Sequence, residues 1–126
     1  MPVFILLMIT LFSPAAAVGA DDTEAINKLI ADINAGMKTN RSRMLRILVL
    51  NTDVAAVTLE AEKAKTGLSY GEIYVAHSLA MACHKTFGQI AVLKASGNSW
   101  SKIAQMHNVS LQGTTAALKA MLKEGQ

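Results

Sequence analysis

The apolar pattern along the chain has two regimes. Residues Val3 to Phe12 form an almost uninterrupted apolar run. Ser13-Pro14 breaks it, and the small residues Ala15 to Ala20 follow before the acidic Asp21-Asp22. Beyond that point the apolar residues recur at helical spacing. Ile26, Ile30, Ile33 and Met37 make one stripe, with Asp21 and Glu24 spaced as a capping box at its start. Gly36 weakens the end of this element, and Thr39-Asn40 starts the next.

Arg41 to Leu50 predicts a second helix, with Met44, Leu45, Leu48 and Val49 as its apolar positions. Asn51-Thr52-Asp53 reads as a turn or cap cluster. The helix after it carries Val54, Val57 and Leu59, becomes polar over Glu60 to Lys65, and stops at Gly67. A single helix over 41–65 is the alternative, because nothing at Asn51 forbids continuation.

A template then recurs three times: a hydroxyl residue, an aromatic, a small residue, a long polar residue and isoleucine. The copies are Ser69-Tyr70-Gly71-Glu72-Ile73, Thr86-Phe87-Gly88-Gln89-Ile90 and Ser99-Trp100-Ser101-Lys102-Ile103. The hydroxyl caps the free amide three residues on, and Glu72 or Gln89 returns the bond to the cap backbone. Lys102 cannot return it. The aromatic and the isoleucine lie on one side and hold the start of the helix onto the core. Helices are therefore predicted to begin near Tyr70, Phe87 and Trp100. Gly97-Asn98 and His107-Asn108 end two of them, and a last helix runs from about Leu111 to Leu122 after a Ser110 cap.

The expected fold is all-α: a compact array of about five to seven short helices with helix-turn-helix-like corners, forming a single domain over 21–126. Residues 1–20 read as a signal peptide, since an apolar run, a breaker and small residues at the −3 and −1 positions suit a signal peptidase. Cleavage after Ala17 or Ala20 fits. The start of this segment has no Lys or Arg, and the alternative is an uncleaved anchor, although the run is short for the roughly 20 residues a bilayer span needs. The expected location is periplasmic or secreted.

Composition sharpens the class more than the function. In 126 residues, 52% are hydrophobic, only 5% are aromatic and two are proline, which favours helices packed on helices. The net charge of +3 lies wholly beyond residue 20. It permits attraction to anionic surfaces but is not the dense footprint of a dedicated nucleic-acid binder. Cys83 is the only cysteine, so no internal disulfide forms. It reads as a small buried apolar residue, with intermolecular pairing or a reactive thiol as alternatives.

Trp100 to Ser110 has the cadence of a helix-turn-helix: Ala104 where the helices cross, Asn108 in the left-handed turn and Val109 after it. The helix that would read bases offers Leu111, Gln112, Gly113, Thr114 and Thr115, with no Arg and no Lys before Lys119. Base and phosphate contacts need more than Gln112. The segment therefore reads as a tight helical corner, and nucleic acid is not the expected partner. DNA binding by a cytoplasmic or membrane-tethered protein is the alternative function.

No catalytic set emerges, and no cofactor or metal is expected. His77, Cys83, His84 and His107 are the soft ligands, but they lack zinc-site spacing. Cys83 and His84 are neighbours that point about 100 degrees apart on a helix and make no dyad. The densest positive cluster is Lys38, Arg41, Arg43 and Arg46. It is either a solvated helix face or a docking patch for anionic lipid or an acidic partner.

Gly67-Leu68-Ser69-Tyr70-Gly71-Glu72, Ala76 to Ala80, Phe87 to Ile90, Lys94, and Gly97-x-x-Trp100-x-x-Ile103-Ala104 carry a family likeness. Together with Thr52-Asp53-Val54 and Leu59, they resemble a group of small exported bacterial proteins. Those proteins share Gly-Leu-x-Tyr-Gly-Glu and Gly-x-x-Trp-x-x-Ile-Ala segments. The resemblance covers roughly half of the chain and implies a compact helical domain in a bacterial envelope or secreted setting, and no activity comes with it. Glycine is more usual in that group at Asp53, and glycine-like or basic residues at His84 and Asn98. The resulting expectation is a non-enzymatic exported module that binds or associates with an envelope protein or anionic surface.

Overall fold

The structure, a computed structural model, describes residues 23–124. The proposed signal peptide over 1–20 and the Asp21 half of the first capping box lie outside the described residues. Within them the protein is all-helical, with eight helices. These are α1 (residues 23–39), α2 (Arg41–Thr52), α3 (Ala56–Thr66), α4 (Tyr70–Cys83), α5 (Phe87–Ala95), α6 (Trp100–Met106), α7 (Leu111–Thr114) and α8 (Ala116–Glu124).

α4 is the axis of the fold. From Tyr70 to Ala80 every residue but Glu72 is buried, on all sides of the helix. A helix enclosed all round is one that neighbours surround, and α2, α3, α5, α6 and α7 pack against it. α1 also crosses it. A Cβ on Gly71 would stand 2.6 Å from the Ile30 carbonyl oxygen and 2.8 Å from Ile30 Cα. Only glycine lets the two backbones approach this closely. The Gly71 amide also donates to the Asn34 side chain across the same contact, at 2.9 Å.

The three template copies begin helices where expected. Ser69 and Thr86 accept from the amides of Glu72 and Gln89, whose side chains bond back to the cap amides, so both boxes are complete. Ser99 caps Lys102 and keeps only its half. Ile73, Ile90 and Ile103 are fully buried beneath these starts. Tyr70 and Trp100 are buried beside them, whereas Phe87 is half-buried.

Residues 41–65 resolve into two helices. Asn51-Thr52-Asp53 ends α2 instead of capping α3. The Asn51 and Thr52 side chains donate back to the carbonyls of Ile47 and Leu48. Asp53 takes the left-handed conformation (φ 57). α2 thus extends two residues past the expected Leu50, Val54 falls in the linker, and Ala55 occupies the cap position of α3.

The predicted helix over 111–122 is also divided, which raises the helix number to eight. Thr115 is completely buried, and its hydroxyl donates to the Leu111 carbonyl at 2.7 Å. That bond and Gly113 end α7 after about one turn, and α8 restarts at Ala116.

Candidate functional site

α2 presents Arg41, Arg43 and Arg46 within two turns, but they do not form one patch with Lys38. Arg41 and Arg43 are two residues apart, hence about 200 degrees apart around the helix. Arg41 turns towards α3 and α4, donating to Glu60 and to the Tyr70 hydroxyl, each at 3.1 Å. Its guanidinium lies over the Tyr70 ring, as does the Lys63 ammonium. The Tyr70 hydroxyl first, then Glu60, hold the guanidinium pKa above its ordinary value. Arg43 instead faces α8 and donates to the Met121 carbonyl at 3.3 Å. Lys38 is exposed near the end of α1.

The basic residues that do converge come from α1, α2 and α8. Two depressions of about 380 and 370 Å³ share Lys28, Asp32 and Leu122 and merge into one furrow along α1. The first is lined by Ala25, Lys28, Leu29 and Asp32 of α1 with Lys119, Leu122 and Lys123 of α8. The second continues past Ala35, Gly36 and Thr39 and is bounded by Arg43 and Met44 of α2. From residue 25 to 39 this is about 21 Å of helix at 1.5 Å per residue. The half beside α8 is mainly apolar and the half beyond Asp32 mainly polar; Leu29 and Met44 are buried beneath it and Leu122 is half-buried.

A third depression of about 250 Å³ adjoins at Arg43 on the other side of α8, between Arg46, Leu50, Met121 and Glu124. Asn51 donates to the Met121 sulfur at 3.1 Å, which holds α8 on α2 between the two hollows.

The charge of the chain concentrates here. Lys28, Arg43, Arg46, Lys119 and Lys123 face Asp32 and Glu124 in these linings, a balance equal to the whole formal +3 of the protein. The remaining seven basic and seven acidic residues cancel. Lys28 pairs with Asp32 at 2.9 Å on an exposed surface, where such a pair contributes little. No acidic side chain among the described residues forms an ion pair with Lys119 or Lys123.

The soft ligands are dispersed. His77 is buried on α4, with Nε2 2.7 Å from the Glu62 carboxylate of α3. Its ring stacks on Phe87 with centroids 4.5 Å apart, so the pair ties α3, α4 and the start of α5 together. His84 takes the left-handed position that ends α4 (φ 58), and the His107 ring nitrogen lies 2.8 Å from the Ile103 carbonyl. No group of three His, Cys, Asp or Glu side chains converges among the described residues. Cys83 is half-buried, not enclosed as the sequence reading expects; this partial burial pushes its thiol pKa up, and the Lys85 charge pulls the other way. A protonated thiol is a poor nucleophile.

The corner after α6 has the turn geometry read from the sequence. Ala104 is buried, Asn108 is left-handed (φ 57), and the Val109 amide donates to the Ala104 carbonyl at 3.0 Å. The helix that follows is α7, of four residues, packed against α4.

The furrow residues Lys28, Lys119 and Lys123 do not stand out in the linear pattern. Lys119 and Lys123 share a face at i, i+4 spacing, which was the available signal. Their partnership with α1 and α2 arises only when α8 folds back. No helix of the described residues is long and apolar enough to cross a membrane. No protein-family model matches the chain, nor does any curated protein or solved structure.

Proposed function

We propose that this protein is an exported, non-enzymatic binding module that grips an anionic partner in the periplasm or outside the cell through the α1 furrow. One observation carries the binding half: the furrow along α1 sets Lys28, Arg43, Lys119 and Lys123 against the single acid Asp32, over a lining that is apolar in its α8 half. Like-signed groups in a cleft focus their field and steer an oppositely charged partner, while the apolar half supplies apolar contact. The apolar leader with its small-residue cleavage region supports export. The resemblance to small exported bacterial proteins supports the same setting.

Two measurements on producing cells and purified protein test the reading. Fractionation with N-terminal sequencing should find a chain starting at Val18 or Asp21 outside the cytoplasm; an intact Met1 in the cytoplasm overturns export. Immobilised poly-glutamate and anionic phospholipid vesicles should retain the protein at low salt and release it as salt rises. Retention of neither kind overturns the binding half. Duplex DNA binding that survives Lys119→Glu/Lys123→Glu but is lost in Gln112→Ala would favour the helix-turn-helix alternative.

A further inference from the structure

We infer that the occupant of the furrow is an acidic amphipathic helix of a partner protein; this rests on the anionic-partner reading above. Three properties select that chemistry. The strip is straight, because one of its walls is the single helix α1 from residue 25 to 39. Its length of about 21 Å equals about 14 residues, or four turns, of a second helix. Its lining combines apolar and basic groups: Leu29 and Leu122 with Lys119 and Lys123 of α8 and Arg43 of α2, while Lys28 and Asp32 pair on α1.

A helix with leucines at i, i+3, i+4 and i+7 lays that stripe on such a lining. Glutamates flanking the stripe then face the lysines. Lys119 and Lys123 are one helical turn apart, the spacing at which acids on the partner also recur. A bilayer surface fits less well. It is flat on this scale, so it meets the sides of the furrow and leaves the apolar part of the lining uncovered. At the far end the Met44 methyl occupies the space that a Cβ on Gly36 would take.

The protein as recovered from cells is titrated with a labelled acidic amphipathic peptide of about 14 residues and with a scrambled peptide of identical composition. Vesicles containing about one-third anionic phospholipid serve as the competing surface. The amphipathic peptide should bind at least about tenfold more tightly than the scrambled one, and Lys119→Glu/Lys123→Glu should remove at least about tenfold of that affinity. Both lysines are exposed, and unchanged far-ultraviolet circular dichroism verifies that the variant is folded. Equal binding of the two peptides, or vesicle binding without peptide binding, overturns the helix inference and leaves the anionic-partner reading standing. Peptide binding indifferent to the charge reversal overturns the furrow as the site. Failure of both peptides and of the vesicles overturns both statements.

Discussion

Replacing Gly71 by alanine places a methyl group against main-chain atoms of α1 that have no flexible end to move aside. Ile30 O would stand 2.6 Å and Ile30 Cα 2.8 Å from the new Cβ. Ordinary contact returns only if α1 withdraws by about 0.5–1 Å, a gap that forfeits a quarter to a half of each facing dispersion contact. Overpacking of this kind costs about 1–3 kcal/mol, and stretching the Gly71–Asn34 hydrogen bond adds about 1 kcal/mol. Alanine offsets about 0.5–1 kcal/mol through its better helix propensity. The net expectation is a loss of about 1–3 kcal/mol, read as a lowered urea midpoint at unchanged m-value. Gly88→Ala is the matched control, since the nearest atom to its Cβ is the Thr86 hydroxyl at 3.8 Å. It should be neutral or stabilising by up to about 1 kcal/mol. If both variants shift the midpoint alike, α1 does not cross α4 at Gly71 and the α1 wall of the furrow is misplaced.

Three further outcomes follow from local geometry. Trp100→Ala should cost about 3–5 kcal/mol in chemical denaturation, because the ring is only 5% exposed; a loss below about 1 kcal/mol would make the ring a surface residue. Asp53→Gly and His84→Gly should each raise stability by about 0.5–1 kcal/mol by removing a left-handed side chain, whereas Ser96→Gly, at φ −77, should lower it. Cys83 should react with iodoacetamide along a pH profile whose midpoint lies above that of an unstructured thiol, since burial raises its pKa and keeps it protonated to higher pH. A midpoint at or below the ordinary thiol value, or one unchanged on unfolding in urea, contradicts that environment.

The parts of the fold that were legible in the chain are those set by neighbours in sequence. A cap at Ser69, Thr86 or Ser99 acts over three residues, so the starts of α4, α5 and α6 were legible near Tyr70, Phe87 and Trp100, where the helices begin. Asn108 was readable as a left-handed turn for the same reason. The division at Thr115 was not, because it depends on complete burial of a hydroxyl beneath other helices. Asp53 and His84 illustrate an intermediate case. Both take the left-handed conformation that glycine favours, although neither is glycine.

The functional surface was harder to read than the fold. Grouping Lys38, Arg41, Arg43 and Arg46 by proximity in sequence ignored the 200 degrees or so between Arg41 and Arg43, and the two engage different neighbours. Only Arg43 and Arg46 belong to the basic hollows. Their companions Lys28, Lys119 and Lys123 are brought in by the return of α8 onto α1 and α2. The contact between His77 and Glu62 was equally hidden, since it joins separate helices across the turn at Gly67.

The most direct test of the furrow as the binding site is a heteronuclear NMR titration of the protein with the acidic amphipathic peptide. Backbone amide shifts should concentrate on residues 25–39, 43–46 and 119–123, and should vanish in Lys119→Glu/Lys123→Glu. Shifts centred instead on the corner at 104–115, or spread evenly over the surface, would contradict binding in the furrow.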